Sequence, residues 1–316
     1  MMAIYTHLQE KDIREIAGRY DLTVTDFEPI AEGATNSSYL LWTQRGRYVL
    51  TLFEERTPDQ VIELGQLLLL LEKHRFPTTR LLRPVDREII TIHKGKPVLF
   101  KVHIDGEVCQ ELDRAMLHQV GAAMANLHRL PCPDFLNARR PWGLPEFSVV
   151  QRQNIDTEYT GWITRRLSWL EQHKPHGLPC GLVHSDMFYD NLLFEHKKLK
   201  AVLDFEDALC HDKVFELGMG IVGLCRKETT VVLEKARALV QGYQQIRELK
   251  EREKNALQFY AEYAATTVSC WRFWKYHIAA PDAKRSDKHW PMVHLAENTR
   301  DIPESTFLMI FEKPGS

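Results

Sequence analysis

Residues 183–207 carry the side chains and the spacing that phosphoryl transfer from a nucleotide requires. His184-x-Asp186-x4-Asn191 follows a short apolar run, and Asp204-Phe205-Glu206 follows a second, Ala201 to Leu203. Such a transfer needs one carboxylate to orient the attacking hydroxyl and receive its proton. It also needs oxygen ligands, from a second carboxylate and an amide, to hold a divalent cation on the phosphates. Asp186 suits the first task; Asn191 and Asp204 suit the second, with Mg²⁺ as the cation. Either half of the pattern alone is weak. Together, with the second acidic turn thirteen residues after Asn191 and behind an apolar strand, they form one consistent constellation.

The elements that must position these residues change character along the chain. Residues 7–18 read as a helix, followed by strand-like runs at Asp26 to Ile30, Ser38 to Thr43 and Arg47 to Phe53, the last two joined by a Gln44-Arg45-Gly46 turn. A helical pattern starts at Pro58 and runs to Arg75. Two further β runs, Glu88 to His93 and Pro97 to His103, flank Lys94-Gly95-Lys96. After a connector from His103 to Gly106 the pattern becomes mostly helical: 111–129, 155–173, 230–246, 251–278 and 291–298, interrupted by the short β segments around the acidic turns. The expected fold class is α+β and bilobal. A small antiparallel-sheet lobe spans 1–103 and binds nucleotide, and a larger, mostly helical lobe spans 104–316 and carries catalysis and the acceptor. Ligands bind preferentially in clefts of such two-lobed proteins.

Composition narrows the partners. Among 316 residues, 41 Lys+Arg against 43 Asp+Glu give a formal charge of -2, so no basic field marks a nucleic-acid protein. An anionic ligand must be met by local groups or a metal. The longest uninterrupted apolar run, Leu67 to Leu71, is far below the roughly 20 residues of a membrane span. Met1 to Arg14 has no apolar core of a signal peptide. Six scattered cysteines without a C-x-x-C pair read as free thiols in a reducing compartment, not as a disulfide or zinc framework. The expectation is a soluble cytoplasmic protein with a small-molecule substrate and neither nucleic-acid nor membrane partners.

On these motifs the chain resembles the aminoglycoside phosphotransferase/choline kinase superfamily of protein-kinase-like small-molecule kinases, and within it the bacterial homoserine kinases. The likeness extends to Ile30-Ala-Glu-Gly-Ala-Thr-Asn-Ser-Ser-Tyr-Leu-Leu, Gly46-Arg-Tyr-Val-Leu-Thr-Leu-Phe-Glu, Leu127-His128, Gly161-Trp162, the stretch from Gly242 to Arg247, and Arg272-Phe273-Trp274. It covers roughly residues 3–300. The resemblance implies an ATP- and Mg²⁺-dependent kinase acting on a hydroxyl, that of L-homoserine first, in threonine biosynthesis. Choline, an aminoglycoside or another amino alcohol are the alternatives, and a kinase-like nucleotide-binding module without catalysis is an alternative of another class. Gly33, Asn36, Ser37 and Ser38 then form the phosphate loop, through backbone N–H groups and short polar side chains, with His103 at the connector as a further nucleotide contact.

Two departures from the broader pattern matter. Thr51 stands where protein kinases carry a third-strand lysine, as it does in the homoserine kinases resembled here. Lys–Glu pairing with the following helix, through Glu63, therefore cannot be assumed. Glu206-Asp207 replaces the aromatic residues expected after Asp204-Phe205. That makes Glu206, with Asp190, a candidate for binding a substrate ammonium, although either could equally bond loop N–H groups. Arg272 lies within the aromatic run Cys270-Trp271-Arg272-Phe273-Trp274. An arginine in such a setting needs an anion, which is either the substrate carboxylate or an acid near the site.

Overall fold

The computed structural model describes residues 6–30, 36–136, 139–153, 155 and 157–312. It has the α+β class the sequence led us to expect. The chain divides into two compact units. The sheet unit extends to Gly106 and also takes in Lys200–Glu206; the helical unit holds Glu107–Leu199 and the chain from Asp207 onward. The seven residues ending at Glu206 thus belong to the sheet unit, apart from their sequence neighbours. Gly33, at the expected tip of the phosphate loop, lies outside the described residues.

The sheet unit contains α1 (Glu10–Gly18), β1 (Val24–Ile30), β2 (Asn36–Thr43), β3 (Gly46–Phe53), α2 (Pro58–Lys73), β4 (Leu81–Leu82), β5 (Thr91–His93) and β6 (Lys96–Val102). Its antiparallel sheet has the order β1-β2-β3-β6-β4, with β5 also paired to β6. Period-two alternation sends Tyr48, Leu50 and Leu52 of β3 and Val98 and Phe100 of β6 into one cluster with Ile13, Ile16 and Ala17 of α1. Helix α2 starts where the sequence stops it from starting earlier. Thr57 accepts from the Gln60 N–H at 3.4 Å, the Gln60 side chain returns the bond at 2.9 Å, and Pro58 occupies the first turn. The returning segment is fastened by the Val202 N–H donating to Pro77 O at 2.8 Å and by Phe205 meeting Phe76 edge-on at 5.7 Å.

The helical unit contains β7 (Glu107–Val108), α3 (Arg114–Leu127), α4 (Leu144–Gln153), α5 (Thr157–Gln172), β8 (Cys180–Val183), β9 (Leu192–Glu195) and the start of β10 (Lys198–Val202). After the return come β11 (Leu209–Asp212), α6 (Lys213–Leu224), β12 (Arg226–Lys227), β13 (Thr230–Val231), α7 (Leu233–Gln244), α8 (Glu251–Trp274), α9 (Trp290–Arg300) and α10 (Glu304–Leu308). Helix α8 is buried along most of its length, with α4, α6 and α9 packed against it. That all-round burial is why its sequence lacks a clean apolar stripe.

Helices α3 and α7 approach so closely that a Cβ on Gly121 would collide with Leu239 O, and one on Gly242 with His118 O. β8 pairs antiparallel with β11, Val183 opposite Leu209 and Cys180 opposite Asp212. One sequence expectation is overturned here: Cys132 and Cys210 form a disulfide, with Cα atoms 6.0 Å apart. Their 78-residue separation hid the pairing, because only the fold brings β11 beside the segment after α3. Cys109, Cys180, Cys225 and Cys270 are free. Among the described residues, no helix is long and apolar enough to cross a membrane.

This packing can be tested at two places. Gly242→Ala must force α3 and α7 apart, at a cost of about 1–3 kcal/mol, read as a drop in the urea midpoint. The second place is the histidine pair His128, whose Nδ1 lies 2.7 Å from the Tyr243 hydroxyl, and His211. Burial, then neighbouring cations, pushes His128 well below the ordinary range and His211 down to about 4. Both are therefore neutral in the folded chain, while the unfolded chain takes up protons near pH 6.5. Stability is complete above that pH and falls as pH drops from about 6.5 towards 4, by up to ~1.4 kcal/mol per pH unit for each group. Urea unfolding at pH 7.5 and 5.5 should show this slope, reduced in His211→Gln; an unchanged slope in the variant would assign it elsewhere.

Candidate active site

The loop that leaves β8 is shaped by a buried carboxylate. Glu216, fully buried on α6, accepts the His184 N–H at 3.1 Å and the Ser185 N–H at 2.9 Å. Burial raises its pKa; the His184 charge interaction and the two N–H bonds oppose the rise. Ser185 has φ 70°, a left-handed conformation that non-glycine residues seldom adopt. Its place is over-determined: the hydroxyl donates to Asp207 O at 2.7 Å, and its own carbonyl accepts from the Trp142 indole N–H at 3.0 Å. Strain held by four surrounding bonds turns the next residue, Asp186, out of the buried strand.

Asp186 is then fixed from both sides. Its N–H donates to His184 Nδ1 at 3.2 Å. Asn191, at the end of the 3₁₀ turn Tyr189–Asn191, donates through Nδ2 to Asp186 O at 2.9 Å and to Asp186 Oδ2 at 2.8 Å. The amide nitrogen is thereby committed, which leaves the side-chain carbonyl oxygen as the Asn191 group of hard-donor chemistry. Helix α6 backs the loop at Gly223, where a Cβ would collide with Met187 O.

Arg272 lies near the same loop. Trp142, which holds Ser185 O, packs edge-on against Trp271 at 5.1 Å. The Arg272 guanidinium donates to Lys288 O at 3.2 Å and feels the charges of Asp186 and Asp190. Burial, then the charge of Arg226, lowers its pKa. Asp186, Asp190, Asn191 and Arg272 are thus gathered in the helical unit.

The remaining expected residues lie in the sheet unit. Asp204 is exposed and adopts φ 59°, a conformation aspartate tolerates; its carboxylate meets the Glu206 N–H at 3.4 Å. Glu206 is held within its own unit. Asn36 Nδ2 donates to its two oxygens at 2.9 and 3.0 Å, and Arg56 Nε lies 3.1 Å away. Burial and the Asp204 charge push its pKa up to about 7, against the pull of Lys101, Arg56 and Asn36.

Two phosphate-loop candidates have partners within the protein. The Ser37 side chain is buried and its hydroxyl donates to Glu54. The Asn36 amide is spent on Glu206. Glu54 is held below the usual carboxylate range: burial alone would raise it, but Lys96, Ser37 and Thr6 outweigh that. Ser38 reaches Thr51 across the strand pair at 3.4 Å, and Thr51 is itself buried. His103 follows β6, its N–H bonded to Arg47 O at 3.0 Å, and burial with the Arg47 charge lowers its pKa. Among the described residues no cluster of three His, Cys, Asp or Glu side chains forms a ready cation cage.

Comparison with known proteins identifies the family. The model of the phosphotransferase enzyme family matches residues 26–249. The chain belongs to that family. A homoserine kinase from Brucella melitensis is 30% identical over 305 residues, 93% of each chain. One from Bartonella henselae is 27% identical, covering 97% of this chain and all of its own. Among solved structures, a microcompartment-associated aminopropanol kinase superposes with a TM-score of 0.73 at 17% identity, covering 96% of this chain and all of the other. Amicoumacin kinase in complex with AMP-PNP and Ca²⁺ superposes with a TM-score of 0.69 at 15% identity, covering 96% and 92%.

In this phosphotransferase the residues that sequence reasoning missed are the supporting ones: Glu216, Trp142, Arg56, Lys101 and Arg226. Only Glu216 left a readable trace, as the one acid within the apolar run Val214 to Leu224. Glu216→Ala strands two buried N–H groups at about 1–3 kcal/mol each. It should also loosen Asp186, lowering kcat by about 10²-fold, the scale of a 1 Å misplacement. ATP affinity, read by calorimetry, should stay nearly unchanged, and Glu216→Gln, which keeps one acceptor, should fall between the two.

Proposed function

We propose that this phosphotransferase is a homoserine kinase, converting L-homoserine and ATP into O-phospho-L-homoserine and ADP, the phosphorylation that leads to threonine. The observation that carries the chemistry is Asp186, tethered through Asn191 on a strained turn after β8. The acceptor is supported by the homoserine kinases that match nearly the whole chain. Such a reaction, spending ATP on an amino-acid precursor, suits a cytoplasmic enzyme.

In this reading Asp186 accepts a hydrogen bond from the acceptor hydroxyl and receives its proton as the new P–O bond forms. The bond to the β-phosphate oxygen breaks, and ADP leaves. Asn191 holds the Asp186 carboxylate at a fixed angle, so little reorganisation accompanies the transfer. By chemistry the Asn191 carbonyl oxygen, and in the sheet unit the exposed Asp204 carboxylate, are hard oxygen donors of the kind Mg²⁺ prefers, and we assign them to it. When bound, Mg²⁺ would neutralise the charge on the phosphates.

With a buried Thr51 in place of a lysine, Lys101 and Arg56 supply positive charge in the sheet unit. Strand register places Lys101 opposite Val49, hence on the same sheet face as Thr51. Backbone N–H groups around Gly33 and Ser38, with His103, complete the nucleotide contacts. Glu206 acts through Asn36 and Arg56, and the ammonium of the acceptor falls to Asp190.

Asp186→Asn should lower kcat by about 10²–10⁴-fold while ATP still binds, measured by coupled ADP release and calorimetry. Near-wild-type turnover would sink the assignment of the base. An acceptor panel of L-homoserine, choline and an aminoglycoside tests the substrate, with the highest kcat/KM expected for homoserine.

A further inference from the structure

Thr51 leaves β3 without a cation at the position where a third-strand lysine would meet the phosphates of ATP. Strand register identifies what lies beside it. On β3, Tyr48, Leu50 and Leu52 join the cluster around α1, as do Val98 and Phe100 on β6. Val49 and Thr51, with Leu99 and Lys101, therefore share the opposite face of the sheet. Thr51 is paired with Leu99 on one side and with Ser38 of β2 on the other, and Val49 is paired with Lys101. Lys101 is thus the diagonal neighbour of Thr51, at a Cβ separation of about 7–8 Å. The flexible four-carbon stem of a lysine can carry its ammonium from there into the space above Thr51.

The other cations of these strands already have carboxylates. Arg47 on β3 pairs with Asp105, and Lys96 on β6 pairs with Glu54. Arg56, just beyond β3, pairs with Glu206 at 3.1 Å. Lys101 is half-buried, and its ammonium makes no hydrogen bond or ion pair among the described residues. Glu206 feels the Lys101 charge, so the side chain lies towards the returning segment that ends beside the exposed Asp204. The Glu206 oxygens are themselves filled by Asn36 and Arg56. A half-buried ammonium without a counter-ion is unfavourable unless a ligand brings the anion. The neighbouring Ser38 and Thr51 hydroxyls, 3.4 Å apart, carry no charge that would repel a phosphate.

We propose that Lys101 performs the task of the absent third-strand lysine, binding the α- and β-phosphates of ATP from the neighbouring strand. The proposal rests on the ATP-dependent kinase reading and separates the two cations of that reading. Arg56 braces Glu206, whereas Lys101 meets the nucleotide directly.

The test uses the full-length enzyme with Lys101→Met, which keeps the stem and loses the charge, and Lys101→Arg, which keeps the charge. Calorimetry with Mg-ATP, in the absence of acceptor, should show Kd raised by about 10–100-fold in Lys101→Met, the scale of a lost charge-assisted bond. The salt dependence of that Kd should become shallower, because a contact to charge is gone. Lys101→Arg should recover most of the affinity, and the KM for L-homoserine should stay unchanged in both variants. Unaltered ATP affinity in Lys101→Met, an equal loss in Lys101→Arg, or a loss with the wild-type salt slope would overturn the proposal. These affinities are read without acceptor, so they are independent of the homoserine assignment. A wild-type enzyme that binds ATP and leaves homoserine unphosphorylated overturns that assignment alone.

Discussion

The site depends on one carboxylate that takes no part in the chemistry. Glu216 accepts two consecutive backbone N–H groups, those of His184 and Ser185, inside the buried core. Without that acceptor the chain could not leave β8 through a left-handed serine, because the turn would bury two unpaired donors as well as its own strain. With it, Asp186 emerges at a defined angle, and Asn191 closes the turn back onto it. The buried pair of N–H bonds is therefore the foundation on which the proposed base stands.

The same division between chemistry and support recurs in the sheet unit. Asn36 and Glu206 both have the polarity of ligand-binding residues, and sequence reasoning cast them so. In the fold they satisfy each other, with Arg56 completing the set. Ser37 is likewise consumed by Glu54, itself held by Lys96. Buried polar groups must find partners, and a partner inside the protein removes them from the list available to a ligand. Asp204 remains exposed at the end of the returning segment. Burial and the Asp204 charge push the pKa of the nearby Glu206 carboxyl up to about 7.

Close helix packing explains another group of residues that carry no chemistry. Gly121, Gly242 and Gly223 stand where a neighbouring carbonyl leaves no room for a side chain. They let α3 meet α7 and let α6 lie flat on the catalytic loop. The Cys132–Cys210 disulfide adds a covalent tie between the segment after α3 and β11, next to the strand that leads into Asp186.

The sequence by itself determined the α+β class and most of the longer strands and helices, and it singled out His184, Asp186, Asn191 and Asp204 as candidates. These are local facts: alternation and helical period follow from backbone geometry, and the motif is compact enough to read along the chain. Only the tertiary structure decided which polar residues are spent on the protein. Asn36 lies 170 residues from Glu206, and Glu216 lies more than thirty from the N–H groups it holds. The segment Lys200–Glu206 belongs to the compact unit built from the chain up to Gly106. Hydrogen-bond partners at such separations leave no periodicity in the sequence, so the distinction between a residue that binds and one that braces exists only in three dimensions.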